Sequence, residues 1–364
     1  MRYIMYKNYK RILVTIITVV NIAMGVSYSS YVNAEQVDSF IAGEMESREI
    51  LGLQLAVVHN GKIAKLTSYG SLDAKRNEQV VNDTIFPINS MTKAFTGTLI
   101  VKLASMNKLN LSDQVGIHLE NLPEGWQLIT IGQILSHTSG LPSILSGNLI
   151  ELVGDGTDIG AWKEVQTLSM LNQPDDNFSY NQTGYVILGK IIEKHFGESY
   201  ADTVRALLFN TGMNATAQNS FRSDKISGPA QQYVFANSSF QEIKLDFPTI
   251  LWPAAGMASS AEDLAKYLIA LQNEVYFDSK YLKTLWTPHI LKDGSSVGFN
   301  EKENGYAAGW QVMTRDKYPA VSASGGNAVT LIVYPEENLA IVVLTNVLGS
   351  LPIEFVDHIA DFYR

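Results

Sequence analysis

The chain has 364 residues, no cysteine, 46% hydrophobic residues, and 36 acidic against 27 basic side chains. That composition excludes disulfide staples and a lipidated N-terminal cysteine, and it supplies apolar residues for a large core. It argues against a nucleic-acid partner, which requires a basic footprint. The six histidines are scattered without metal-ligand spacing, and neither an internal repeat nor a low-complexity tract is present.

Residues 1–34 read as a secretory leader. Arg2, Lys7, Lys10 and Arg11 precede the apolar run ILVTIITVVNIAMGV, and the small-residue site VNA ends at Ala34. The run is short for a membrane span of about 20 residues, so a secreted or periplasmic protein without a stable span is expected, an uncleaved N-terminal anchor being the alternative. The leader holds four basic and no acidic residues, so without it the balance is 23 basic to 36 acidic, a net charge of −13.

After the leader, VDSFIAGEMESREI sets Val37, Phe40, Ile41 and Met45 at helical spacing. LGLQLAVVHNGKIAKLTSYG reads as two strands joined at Asn60-Gly61, a dipeptide suited to a two-residue hairpin turn. From Met91 to Met106 the pattern is helical, with Phe95, Leu99, Leu103 and Met106 on one face. Short helices and loops alternate over residues 108–180, and GYVILGKIIEKHF and AEDLAKYLIALQ are further helices. AAGWQVM, TLIVY and LAIVVLTN are β-rich runs divided by turn signals such as PEEN, and PIEFVDHIADFYR closes the chain as an amphipathic helix. Strands at both ends with helices between predict an α+β fold. One antiparallel sheet is built from N- and C-terminal strands and flanked by helices. Within a unit of residues 35–364, the α/β part covers approximately 35–88 and 255–364, and a mainly helical region, approximately 89–254, is inserted.

The stretch PINSMTKAF carries the candidate chemistry. On a helix, Ser90 and Lys93 share a face one turn apart, and the first amides of the helix lend partial positive charge to an oxygen at Ser90. A serine hydroxyl needs a base to become a nucleophile. Lysine serves either as a neutral amine, if burial lowers its pKa, or as a cation that stabilises another base. Ser-x-x-Lys alone is common, and its second copy, Ser105 to Lys108, reads as an ordinary helix end. GYVILGKI nearly fits a phosphate loop, but Ile191 stands where the hydroxyl belongs.

FPINSMTKAFTG, ITIGQILSHTSGLP, FSYNQTGYVILGKIIEK, WPAAGMASSAEDLAKYL and SGGNAVTLIVYPEENLAIVVLTN occur in this order. Together they resemble the β-lactamase-related serine hydrolases over nearly all of the chain beyond the leader. That family includes class C β-lactamases, low-molecular-weight penicillin-binding proteins acting on D-alanyl peptides, and family VIII esterases. The resemblance implies Ser90 as nucleophile, Lys93 and Tyr180 as the general-base pair, and an oxyanion held by the amides of Ser90 and Gly326. Gln182, Ser324 and Gly325 complete the implied substrate-binding set. A Lys93 cation is then the expected source of the roughly 4 kcal/mol that would bring a tyrosine pKa of about 10 near neutrality. His137, in HTSGLP, is expected to be a structural turn. Tyr233, Trp252 and Trp310 are candidates for the cleft lining or the core.

Two positions depart from the family pattern. Gln182 ends the second motif where asparagine is usual, and Ala323 stands where the third motif carries lysine or histidine. In relatives that handle β-lactams or D-alanyl-D-alanine, that cation or imidazole attracts the substrate carboxylate. Its loss points to neutral esters or peptide amides, peptidoglycan-derived peptides among them, unless Arg222 or Lys225 substitutes in space. No metal or organic cofactor is implied. A D-alanyl-D-alanine carboxypeptidase or β-lactamase is the nearest competing reading, and a non-catalytic cell-wall or peptide-binding relative is the competitor from another class.

Overall fold

The computed structural model describes residues 35–75, 78–147, 150–221 and 230–364. The expected leader, and Arg222 and Lys225, lie outside them. Strands β1 (Gly52–His59) and β2 (Lys62–Gly70) turn at Asn60 and Gly61, whose φ angles of 51° and 73° are the left-handed pair a two-residue turn requires. Two short ladders follow: β3 (Phe86–Pro87) pairs with β6 (Ala258–Ser259), and β4 (Gln232–Ala236) with β5 (Ser239–Ile243). The C-terminal strands are β7 (Gly305–Tyr306), β8 (Gln311–Met313), β9 (Ala320–Gly325), β10 (Val329–Tyr334) and β11 (Leu339–Thr345).

Among the described residues the main sheet runs β2-β1-β11-β10-β9-β8-β7, every neighbouring pair antiparallel. The first and last of its strands in sequence lie side by side, from Leu53 opposite Thr345 to His59 opposite Leu339. This is the expected sheet assembled from both ends of the chain. β1 and β11 are buried along nearly their whole length and rich in Leu, Ile, Val and Ala because both of their faces are covered, Gln54 being a buried polar exception. On one face, the helix at residues 35–47 and the helix Pro352–Asp361 pack Val37, Ile41, Phe355 and Ile359 onto Leu55, Val57, Ile341 and Val343. On the other, the helix Ala261–Gln272 packs onto β1 and β11 and joins the larger core shared with the helical region.

The helix Thr92–Ser105 departs from the one-faced pattern expected of it. It packs against the helices Thr183–Phe196 and Ser279–Trp286 and against β9, so burial runs around its whole circumference. Met106, expected on its buried face, lies beyond the last turn and is 47% exposed. Its threonines find internal partners: Thr98 donates to the Ala94 carbonyl at 2.9 Å and Thr96 to the Pro253 carbonyl at 2.6 Å. Ser105 donates to its own helix at Lys102 O, 2.7 Å away, and Lys108 is exposed, as an ordinary helix end requires. The phosphate-loop lookalike is the buried helix Thr183–Phe196, where a Cβ on Gly189 would meet Pro253 Cγ at 2.3 Å. Among the described residues, no helix is long and apolar enough to cross a membrane.

Candidate active site

Ser90 lies in a 3-10 turn, Asn89–Met91, that leads directly into the helix Thr92–Ser105. Asn89 enters this turn with φ of 46°, a left-handed conformation that asparagine tolerates better than most residues. Thr92 locks the turn. Its hydroxyl donates to Asn89 O at 2.6 Å and accepts from the amides of Gly256 and Met257, each at 3.2 Å. The segment WPAAGM thus clamps the nucleophile turn from the far side of the sequence.

The same segment holds Lys93. Its Nζ donates to the Ala254 carbonyl at 3.0 Å and lies 3.4 Å from Ser90 Oγ. The rings of Tyr180 and Tyr185 flank it, with centroids 4.7 and 5.2 Å away. Lys93 is fully buried, and no carboxylate pairs with it among the described ion pairs. Burial therefore pushes its pKa well below the ordinary 10.5. A neutral amine has two N–H groups and one lone pair. With an N–H given to Ala254, the lone pair is available to the Ser90 hydroxyl.

Tyr180 reaches the same point from the loop before the helix Thr183–Phe196. Burial raises its pKa to about 12, while hydrogen bonds with Ser90 and Gln182 work in the opposite direction. The expectation of a Lys93 cation depressing the tyrosine is therefore not met. Burial disfavours the charged form of both groups, the lysine's ammonium and the tyrosine's phenolate alike. Gln182 is half-buried, and its Oε1 has no protein partner. The middle residue of the motif, Asn181, is the one that anchors the loop. It donates to Leu141 O at 2.7 Å and accepts from Gly184 N at 3.1 Å, fixing the start of the helix.

His137 is buried behind Tyr180, with ring centroids 4.4 Å apart. It has φ of 60°, and burial, with Lys93 next to it, holds its pKa well below 6.5. On the outer side of Tyr180, the exposed Phe299 packs at 5.1 Å between centroids, next to Phe178 at 5.4 Å.

The third motif approaches from the sheet. β8 pairs with β9 only as far as Gln311 opposite Ser322, so Ala323, Ser324 and Gly325 leave that edge of β9 open. A Cβ on Gly325 would stand 2.1 Å from Ile88 O and 3.0 Å from Ser90 N. Glycine is thus a condition of the strand lying against the nucleophile turn. Ala323, two residues earlier on the same face, is 1% exposed in the shared core. Ser324 is bonded instead to Thr330 across the ladder, 2.9 Å between hydroxyl oxygens. Gly326, the second expected oxyanion donor, lies in the turn just after β9 with φ of 59°, and a Cβ there would meet Asn89 Nδ2 at 2.7 Å.

The structure thus brings Ser90, Lys93, Tyr180, Gln182 and Gly325 to one place, with Gly326 at its rim and the Ser324 hydroxyl engaged elsewhere. Of the other candidates, Trp310 and Tyr233 are core residues and Trp252 packs on Phe221. Sequence reasoning passed over the Ala254 carbonyl, Asn181 and the side chain of His137. Among the described residues no cluster of His, Asp and Glu could hold a metal ion.

The family model described as Beta-lactamase matches residues 37–363. Protein flp of Staphylococcus aureus (strain MRSA252) is 28% identical over 338 residues, which cover 89% of this chain and 65% of that protein. The chain therefore spans just under two thirds of that relative's length. The octameric penicillin-binding protein homologue from Pyrococcus abyssi has a TM-score of 0.74 and 26% identity, covering 91% of this chain and 76% of that one. EstCE1, described as a hydrolase with promiscuous acyltransferase activity, shares the fold. Its TM-score is 0.77 at 17% identity, over 92% of this chain and 98% of that one.

Proposed function

The chain belongs to the β-lactamase family, and on that premise we propose that it is an exported serine hydrolase cleaving neutral esters or amides through an acyl-enzyme at Ser90. The observation that carries this reading is the Ser90–Lys93 pair, 3.4 Å apart, with the amine buried and held by the Ala254 carbonyl. Ser90 Oγ attacks the substrate carbonyl carbon while its proton passes to the Lys93 lone pair. The tetrahedral oxyanion takes the amides of Ser90 and Gly326. Collapse breaks the bond to the leaving group, which receives a proton from the Tyr180 phenol, and Lys93 restores that proton. Water then attacks the acyl carbon, Lys93 and Tyr180 again carrying its proton, and Ser90 is released.

The substrate class follows from Ala323. A buried methyl stands where relatives place a cation or imidazole, so a substrate carboxylate finds no partner at that position, while Phe299 offers an apolar wall next to Tyr180. Neutral acyl substrates fit this better than penicillins or D-alanyl-D-alanine. Export rests on the leader at residues 1–34.

Stopped-flow release of p-nitrophenol from a short-chain ester tests the reading, with wild type and Ser90→Ala compared at neutral pH. A burst stoichiometric with enzyme and absent from the variant is expected. Equal, burst-free traces from two folded proteins would remove Ser90 chemistry on esters and favour a peptide-binding relative. A labelled penicillin retained on Ser90, or turned over, would move the assignment to a D-alanyl peptidase or a β-lactamase.

A further inference from the structure

We propose that His137 is a positioning residue that sets Tyr180 for proton transfer, by bonding to the backbone on both sides of it. The proposal rests on the Ser90 reading above. The His137 carbonyl accepts from Ser179 N–H at 2.7 Å, and its ring Nδ1 accepts from Asn181 N–H at 3.2 Å. Ser179 and Asn181 are the two neighbours of Tyr180. One residue therefore fixes the Phe178–Ser179 and Tyr180–Asn181 peptide planes that bracket the phenol, and its ring lies against the phenol ring at 4.4 Å.

Helix termination does not require a histidine here. His137 ends the helix Ile131–Leu135 in the left-handed conformation, with its amide donating to Ile134 O at 3.2 Å. Glycine or asparagine adopts that conformation with less strain. What they lack is an imidazole filling the box of Tyr180, Tyr185 and Tyr306, whose centroids lie 4.4, 5.1 and 4.8 Å from its own.

The bond to Asn181 also fixes the tautomer. Nδ1 accepts, so the proton of the neutral ring is on Nε2, which is buried without a polar partner. A protonated imidazole would have to place an N–H against the Asn181 N–H. The clamp therefore exists only with the ring neutral.

Acylation rates of wild type, His137→Gly, His137→Asn and Ser90→Ala test the proposal, with thermal melts run in parallel. Glycine relieves the left-handed strain but removes the acceptor. Asparagine keeps an oxygen the same number of bonds from Cα as Nδ1. His137→Gly should acylate about 10²-fold more slowly with little change in KM, as a misplacement of about 1 Å produces, and His137→Asn should recover most of that loss. A folded glycine variant with the wild-type rate, or an asparagine variant as slow as glycine, overturns the clamp. If His137→Gly does not melt cooperatively, ¹⁵N chemical shifts of His137 in the wild type decide. A neutral Nε2–H ring that does not titrate between pH 5 and 8 supports the proposal, and an Nδ1–H or titrating ring overturns it. Full activity in Ser90→Ala would instead overturn the hydrolase reading itself, whatever His137 does.

Discussion

Replacing Lys93 by methionine should abolish acylation and yet leave a protein whose stability gains on wild type as the pH falls. Methionine has a similar volume and fills the space between Tyr180 and Tyr185 without a charge to desolvate. It loses the bond to Ala254 O, a cost of about 1 kcal/mol that does not vary with pH. The lysine's own contribution does vary. In the native state its pKa lies well below 10.5, whereas the unfolded chain titrates near that ordinary value. Between the two, the unfolded state binds one proton more than the native state, so wild-type stability rises with pH by about 1.4 kcal/mol per unit. The variant lacks this dependence and every other titrating group cancels in the difference. From pH 8 to 9.5, wild type should therefore gain about 2 kcal/mol on Lys93→Met. Urea unfolding of both proteins at intermediate pH values measures it. A difference that stays flat across that range would mean that Lys93 is charged in the native protein, and the neutral-amine mechanism would fall with it.

Tyr180→Phe should lower kcat/KM about 10²-fold while leaving the melting temperature within a few degrees, read from steady-state kinetics beside calorimetry. Because Tyr180 is pushed up to about 12 and Lys93 down, kcat/KM should fall on the acid side, as Lys93 takes up a proton, and stay level on the alkaline side to roughly pH 10. An alkaline limb near pH 8 in the pH–rate profile would contradict this. Gly325→Ala should cost about 1–3 kcal/mol and most of the activity, since its methyl would stand 2.1 Å from Ile88 O; a fully active, unshifted variant would refute that contact. Asp357 accepts from Arg315 at 2.9 and 3.0 Å and from Tyr334 at 2.6 Å. Burial works against its charge, but these bonds outweigh it and hold the carboxyl below its ordinary range. Its contribution is present above about pH 4 and is lost as the pH falls further, so Asp357→Asn should destabilise by roughly 2 kcal/mol at pH 7 and less in acid, by urea titration.

The sheet was legible because its signals are local. Asn60-Gly61 between two apolar runs, and the β-rich segments after residue 305, specify strands without reference to anything distant. The i, i+3 relation of Ser90 and Lys93 is local too. The downward shift of Lys93 was not legible, because it comes from burial among groups distant in sequence, the Ala254 carbonyl and the rings of Tyr180 and Tyr185 among them. A backbone carbonyl leaves no trace in the residue types that carry it. His137 was read as a structural turn alone for a related reason. Its left-handed helix stop accounts for a turn motif by itself, and the bond that gives its ring a second task reaches a residue 44 positions away. Gly326 was named from the resemblance as an oxyanion donor, and its turn was not legible: Gly326 and Asn327 both take positive φ and close the β9–β10 connection.

The helix carrying Ser90 and Lys93 is buried around its circumference and tied by side-chain bonds to Pro253, Ala254 and Tyr267. Such a segment has no partial opening of its own: freeing it separates the sheet from the helical region. Its amides should exchange with deuterium only through whole-molecule unfolding. Catalytic competence then works as a readout of the global fold, lost on heating with the cooperative transition and not ahead of it. Acylation of Ser90 would, for the same reason, report only molecules folded at the moment of reaction.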